Sequence, residues 1–114
     1  MSRALVEKIK KQRELTVKVG AFTFTARRPT DVEAIALHRS DGAYSDIAAD
    51  YVIGWSGVTE LDVVRGGSSE TLTWDRDLWR EWCADRPDFW GPIASAVLDS
   101  YREHATRQEE VAKN

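Results

Sequence analysis

The sequence predicts an α+β fold, mainly helical, in which an N-terminal β-hairpin packs on about four helices and a second small hairpin is a candidate near residues 58–73. Three features predict it. Residues 15–26 alternate apolar and polar side chains at period two. Residues 44–55 and 74–104 repeat apolar side chains at the three- and four-residue spacing of a helix face. At 114 residues the chain is long enough for a single domain, 1–114, with a core of its own.

The chain opens with a basic segment, residues 1–14. Leu5, Val6 and Ile9 sit there at near-helical spacing among Lys and Glu, so a short, frayed helix is expected. From Leu15 the period changes. Leu15, Val17 and Val19 alternate with Thr16 and Lys18, and Phe22, Phe24 and Ala26 alternate with Thr23, Thr25 and Arg27. Between them Gly20-Ala21 suits a two-residue type II′ turn, whose first position needs φ > 0. Such a turn pairs Val19 with Phe22, Val17 with Phe24 and Leu15 with Ala26, which puts every apolar residue on one face.

Pro29 ends the second strand, and Thr30-Asp31-Val32-Glu33 has the form of a capping box. The helix that follows is expected to run to about Arg39, burying Val32, Ile35, Ala36 and Leu37, until Ser40-Asp41-Gly42 breaks it. Tyr44 to Val58 is then the central helix: Tyr44, Ile47, Ala48, Tyr51, Val52 and Trp55 share one face, and Gly54 and Gly57 end it. Val58 to Val64 leans toward β, and Gly66-Gly67-Ser68-Ser69 turns the chain before Thr71-Leu72-Thr73.

Helical period returns with Trp74, Leu78, Trp79, Trp82 and Cys83, and Arg86-Pro87 stops it. Asp88 is placed to cap a final helix in which Gly91 and Pro92 fall in the first turn. Its stripe is Phe89, Ile93, Ala96, Val97, Ser100, Tyr101 and His104; beyond it, residues 105–114 form a mobile polar tail. The expected core is Val17, Phe22, Phe24, Ile35, Tyr51, Trp55, Ile93, Val97 and Tyr101.

A hydrophobic share of 42 % with 31 % charged residues argues against a disordered chain. A single cysteine, Cys83, excludes an intramolecular disulfide, and with His38 and His104 the only histidines no Cys/His metal motif exists. The N-terminus lacks a signal-peptide core and no apolar run approaches the roughly 20 residues of a membrane span, so a cytoplasmic protein is expected. Charge is uneven. Residues 1–28 hold eight Lys/Arg and two Glu, although the whole chain carries −3. The basic arm raises nucleic acid as a partner; a solvated helix face outweighs it, because Lys8, Lys10, Lys11 and Arg13 have no aromatic or groove-reading company.

No catalytic residue, cofactor site or metal site is assigned. Asp75 and Asp77 would face apart on a helix, and Glu109 and Glu110 lie in the polar tail. Cys83 shares the stripe of Trp79 and Trp82, where it acts as a small hydrophobe more readily than as a nucleophile partnered by His104. The Gly66-Gly67-Ser68-Ser69 run has no following lysine and is a turn, not a phosphate loop. Five tryptophans are many for one small domain. Trp74, Trp79, Trp82 and Trp90 are therefore the candidates for partner binding, with Arg107, Glu109 and Glu110 of the tail orienting the partner.

The order of features is similar to that of the tail assembly chaperones of long-tailed bacteriophages. The shared traits are a strand pair ending in Arg-Arg-Pro-Thr-Asp-Val-Glu, a helix, a Val-Ile-Gly-Trp-Ser-Gly-Val turn, an irregular stretch, two helices ending in a Tyr-containing stripe, and a final Lys-Asn. The likeness spans about residues 15–114, and the Gly-Ser character of Val64 to Leu72 departs from the Pro-containing hairpin frequent in that family. It implies a non-enzymatic protein with no cofactor. Its partners would be the tape measure protein and the tail tube protein, with self-association a further option. It would act in the cytoplasm of the bacterial host and be absent from the mature virion. Family members often also exist in a longer, frameshifted form, and Lys113-Asn114 is compatible with a slippery codon pair. The alternative class is a small nucleic-acid-binding or regulatory protein using the basic N-terminal segment.

Overall fold

A computed structural model of the chain describes residues 2–40 and 43–113. In chain order the elements are α1 (Ser2–Gln12), β1 (Glu14–Val19), β2 (Phe22–Arg27), α2 (Asp31–Ser40), α3 (Tyr44–Tyr51), β3 (Val52–Ser56), α4 (Glu60–Val63), α5 (Arg76–Ala84) and α6 (Pro87–Lys113). This is the mainly helical α+β fold expected. The break anticipated at Ser40-Asp41-Gly42 falls largely on Asp41 and Gly42, outside the described residues.

The hairpin has the register its alternation dictates: Val19 faces Phe22, Val17 faces Phe24 and Leu15 faces Ala26. Gly20 has φ +59°, the sign that a side chain would make costly. The sheet differs from expectation on its other side. The helix beginning at Tyr44 stops at Tyr51, and Val52–Ser56 becomes a third antiparallel strand on β2, in the order β1-β2-β3. β-branched Val52 and Ile53 favour a strand over a further helical turn, and β2 offers an unpaired edge. A register shift between Thr25 and Ala26 fits β3 to that edge.

The candidate second hairpin near residues 58–73 is reduced to one bridge. Thr59 and Thr71 make a single antiparallel bridge, and between them α4 is one turn, with Thr59 and Asp62 in a capping box. Gly67 passes so close to Glu60 that a Cβ there would lie 2.8 Å from its backbone.

One face of the sheet carries the core. Phe24 and Ala26 of β2 and Val17 of β1 are covered by Ile47, Ala48 and Tyr51 of α3, Trp79, Trp82 and Cys83 of α5, and Phe89, Ile93, Ala94 and Val97 of α6. Aromatic rings fill the centre, with Phe24 at 5.0 Å from Trp79 and 5.2 Å from Phe89. Trp79 also donates its indole N–H to the carbonyl of Ala48 at 3.2 Å, near the end of α3 where helical carbonyls lack partners. Trp55, on β3 rather than on a helix, packs edge-on against Trp74 at 4.8 Å and donates to the Leu72 carbonyl at 3.0 Å.

Asp75 caps α5 by accepting from the Leu78 amide at 2.9 Å. α6 starts one residue before the expected cap. Pro87 takes the first position, where its missing N–H removes nothing, and Asp88 instead holds Arg86 through two hydrogen bonds of 2.9 and 2.8 Å. Pro92 is thus the sixth residue of α6 and not in its first turn. Helix α6 continues to Lys113, so the segment after His104 is helical instead of a frayed tail, though its side chains from Ala105 to Ala112 are exposed. α1 is likewise an intact helix, none of whose residues is buried. No helix among the described residues is long and apolar enough to cross a membrane.

Candidate protein-docking groove

The junction between β2 and α2 is built as a rigid corner. Glu33 accepts both guanidinium N–H groups of Arg27, at 2.7 and 2.8 Å, while the Thr30 amide donates to Glu33 at 2.9 Å and the Glu33 amide donates to the Thr30 hydroxyl at 3.1 Å. These bonds, the Arg27 pair first, hold the Glu33 carboxyl at about 2, against an ordinary 4.5. Buried Pro29 fixes the backbone next to it. A second clamp ties the start of α2 to α6. The Tyr101 hydroxyl donates to Asp31 at 2.9 Å, and His104 Nε2 lies 3.3 Å from the same carboxylate oxygen. That hydrogen bond, made in the protonated state, raises the Tyr101 pKa.

Helix α2 is therefore anchored at its N-terminal end and stands away from the body beyond it. Only Leu37 packs on the core. Val32 is 78 % exposed and Ile35 55 % exposed, so the expectation that α2 buries Val32, Ile35 and Ala36 is corrected. The physical reason is where α2 is held: its bonds to Arg27 and Tyr101 are made by Asp31 and Glu33, in the first turn only. α6 meets α2 near Leu98 and Tyr101 and leaves an open cavity of about 940 Å³ walled by Ile35, Leu37, His38, Leu98 and Tyr101. Arg39 lines it as well, and Arg28 adjoins it at Pro29. The Arg28 guanidinium donates to the Pro29 carbonyl at 2.9 Å, and burial followed by repulsion from Arg13 lowers its pKa. Neither arginine has an ion-pair partner among the described residues.

The sequence-predicted partner residues are not gathered here. Trp79 is fully buried, which removes it from the candidates for partner binding, and Trp82 keeps 7 % of its surface exposed. Trp74 and Trp90 are half-buried, Trp90 donating its indole N–H to the Cys83 carbonyl at 2.7 Å. The indoles fit because the sheet supplies Phe22, Phe24 and Trp55 as a third wall, so two helix faces do not have to accommodate them alone. Arg107, Glu109 and Glu110 are exposed on the distal part of α6, Arg107 beside Glu103 at 3.7 Å. Of the predicted core, Val17, Phe24, Tyr51, Ile93 and Val97 are buried, and Phe22 and Trp55 are partly buried against it. Ile35 and Tyr101 are not core residues: both line the groove. The signal for it was present in α2, where an apolar face was assigned to a core whose other walls were already filled.

The remaining candidates for chemistry are separated. Cys83 is buried in the core, where desolvation pushes its thiol up to about 11, whereas His104 is engaged with Asp31. No group of three or more His, Cys, Asp or Glu residues suited to a metal ion exists among the described residues. Gly66 has φ +80° in a turn, as its sequence suggests. Compared with known proteins, the chain matches no protein-family model, no curated protein and no solved structure.

Proposed function

We propose that the protein is a non-enzymatic chaperone of bacteriophage tail assembly that holds an amphipathic helix of the tape measure protein in the α2–α6 groove. The observation that carries this reading is the apolar groove itself, open and lined by Ile35, Leu37 and Leu98, on a domain whose core is otherwise complete. An apolar surface left open beside charged groups is the usual form of a protein-contact site. The flanking arginines, Arg28 and Arg39, select the chemistry of that partner: a helix with an apolar stripe bordered by carboxylates, laid in the groove with its acids toward the guanidinium groups. The likeness of residues 15–114 to tail assembly chaperones is what points to the tape measure protein as the source of such a helix. Residence in the host cytoplasm, handover to the tail tube protein and absence from the finished particle follow from the same reading.

The test is co-expression with the tape measure protein, comparing the wild-type chain with Ile35→Asp and Arg39→Glu. Both positions are exposed, so the variants fold. Ile35→Asp should bind about tenfold or more weakly and leave the tape measure protein insoluble, because a carboxylate is set against an apolar partner. Equal solubilisation by Ile35→Asp would move the binding surface away from the groove. The nucleic-acid alternative is decided on the same samples: it requires a DNA or RNA mobility shift that weakens as salt is raised.

A further inference from the structure

We infer that α1 is a docking helix for a second copy of this chain, and that its seat is the acidic groove between α4 and α5. The inference is independent of what fills the α2–α6 groove. α1 is a complete helix of 11 residues with none of them buried; Leu5 is 61 % and Ile9 50 % exposed. On a helix of 3.6 residues per turn, Leu5, Val6 and Ile9 form one stripe, with Lys8 on one side of it and Lys10 on the other. Neither lysine has an ion-pair partner among the described residues. Helix α1 thus presents an apolar seam bordered by cations on both flanks.

The α4–α5 groove is its complement. A cavity of about 420 Å³ is floored by Val63, Val64, Leu78 and Trp82. Its lips are acidic, Asp62 from α4 on one side and Glu81 and Asp85 from α5 and its cap on the other. The cation at its end, Arg86, is already neutralised by Asp88 and lies over the Phe89 ring at 4.1 Å. A helix lying with Leu5 and Ile9 on the floor meets acids with Lys8 and Lys10 on both sides.

Placement makes this a contact between copies. α1 joins the hairpin at Glu14, whereas the groove borders Trp82 and Arg86, which pack on Phe22 next to the turn at the other end of the ribbon. Seat and docking helix are at opposite ends of one molecule, so each copy can use the groove of the next. The arrangement is heterologous, head to tail, and adds copies without a fixed stop unless the rotation closes a ring. An 11-residue helix in a groove makes an interface below about 1,200 Å², so the association is weak and reversible.

Sedimentation equilibrium of the full chain tests it. The average mass should exceed the 12.9 kDa of the monomer, rise with protein concentration and fall back to the monomer when salt is raised. Going from about 0.1 M to about 1 M shortens the screening length from roughly 10 Å to 3 Å. The double variants Lys8→Glu/Lys10→Glu and Glu81→Lys/Asp85→Lys should each be monomeric alone and should associate again when mixed, since the unchanged helix of the second fits the unchanged groove of the first. All four positions are exposed, and an unchanged circular dichroism spectrum shows that the variants fold. A wild-type chain that stays monomeric over the whole range, a mixture that stays monomeric, or a mass that drops with Ile35→Asp but not with these four charges overturns the inference.

Discussion

Trp79 is the residue on which the three layers of the core converge, and its replacement separates two contributions. Its ring is fully buried within 5.0 Å of Phe24, 5.9 Å of Phe89 and 6.0 Å of Trp82, and its N–H satisfies the Ala48 carbonyl. Trp79→Ala removes both. Truncating a buried tryptophan costs about 3–5 kcal/mol. A stranded buried acceptor costs roughly 1–3 kcal/mol where water cannot reach it. Together these come to about 4–8 kcal/mol against a total of roughly 6–17 kcal/mol for a domain of 114 residues, so Trp79→Ala should lose a large share of its stability. Trp79→Phe keeps most of the ring and removes the donor, so its loss should lie near the cost of the carbonyl plus a small cavity, about 2–3 kcal/mol. Urea unfolding followed by far-ultraviolet circular dichroism gives both values. A loss below about 0.5 kcal/mol for Trp79→Phe would show that the indole hydrogen bond does not hold α3 to α5, and the account of the helix end would fail.

Two further outcomes follow from the titrating groups. The Glu33 carboxyl is depressed to about 2, so its stabilisation is fully present above its unfolded value near 4.5 and is lost as the pH falls from there toward 2. Glu33→Gln should lower neutral-pH stability by about 1 kcal/mol, the scale of a helix cap with a half-exposed ion pair, and flatten that part of the acid unfolding curve; an unaltered acid limb speaks against the Arg27 pairing. Burial raises the Cys83 thiol to about 11, so at neutral pH it stays protonated and should react with a thiol reagent only as fast as the domain opens. Rapid labelling of the native protein would place Cys83 at the surface.

The hairpin was legible because period-two alternation, Gly20-Ala21 and the facing pairs all state the same register, and no tertiary contact opposes it. The capping box at Thr30 and the α5 stripe were legible for a similar reason, since each is settled by neighbours within one turn. β3 was not. Tyr44, Ile47, Ala48, Tyr51, Val52 and Trp55 keep helical spacing throughout, and only the free edge of β2, a partner distant in sequence, turns the last five residues into a strand. Candidate sites failed on the same ground. Surplus tryptophan suggested exposed anchors, but burial depends on how many walls surround a ring, and the sheet supplied one that local pattern cannot count. The face of α2 is apolar as its spacing says but is not covered, because the Arg27–Glu33 and Tyr101–Asp31 bonds that hold only its first turn are invisible in the spacing of Val32 and Ile35.

The clustering of indoles also gives the two surfaces different optical behaviour. Trp55 and Trp74 are 4.8 Å apart and Trp79 and Trp82 are 6.0 Å apart, close enough for their transitions to couple, so the native state carries a collective aromatic signal that disappears on unfolding. None of the five indoles lines the α2–α6 groove, whereas Trp82 forms part of the floor of the α4–α5 groove. Tryptophan emission is consequently blind to a helix entering the first and responsive to one entering the second. A change in tryptophan emission as the unlabelled chain is concentrated therefore reports contact between copies.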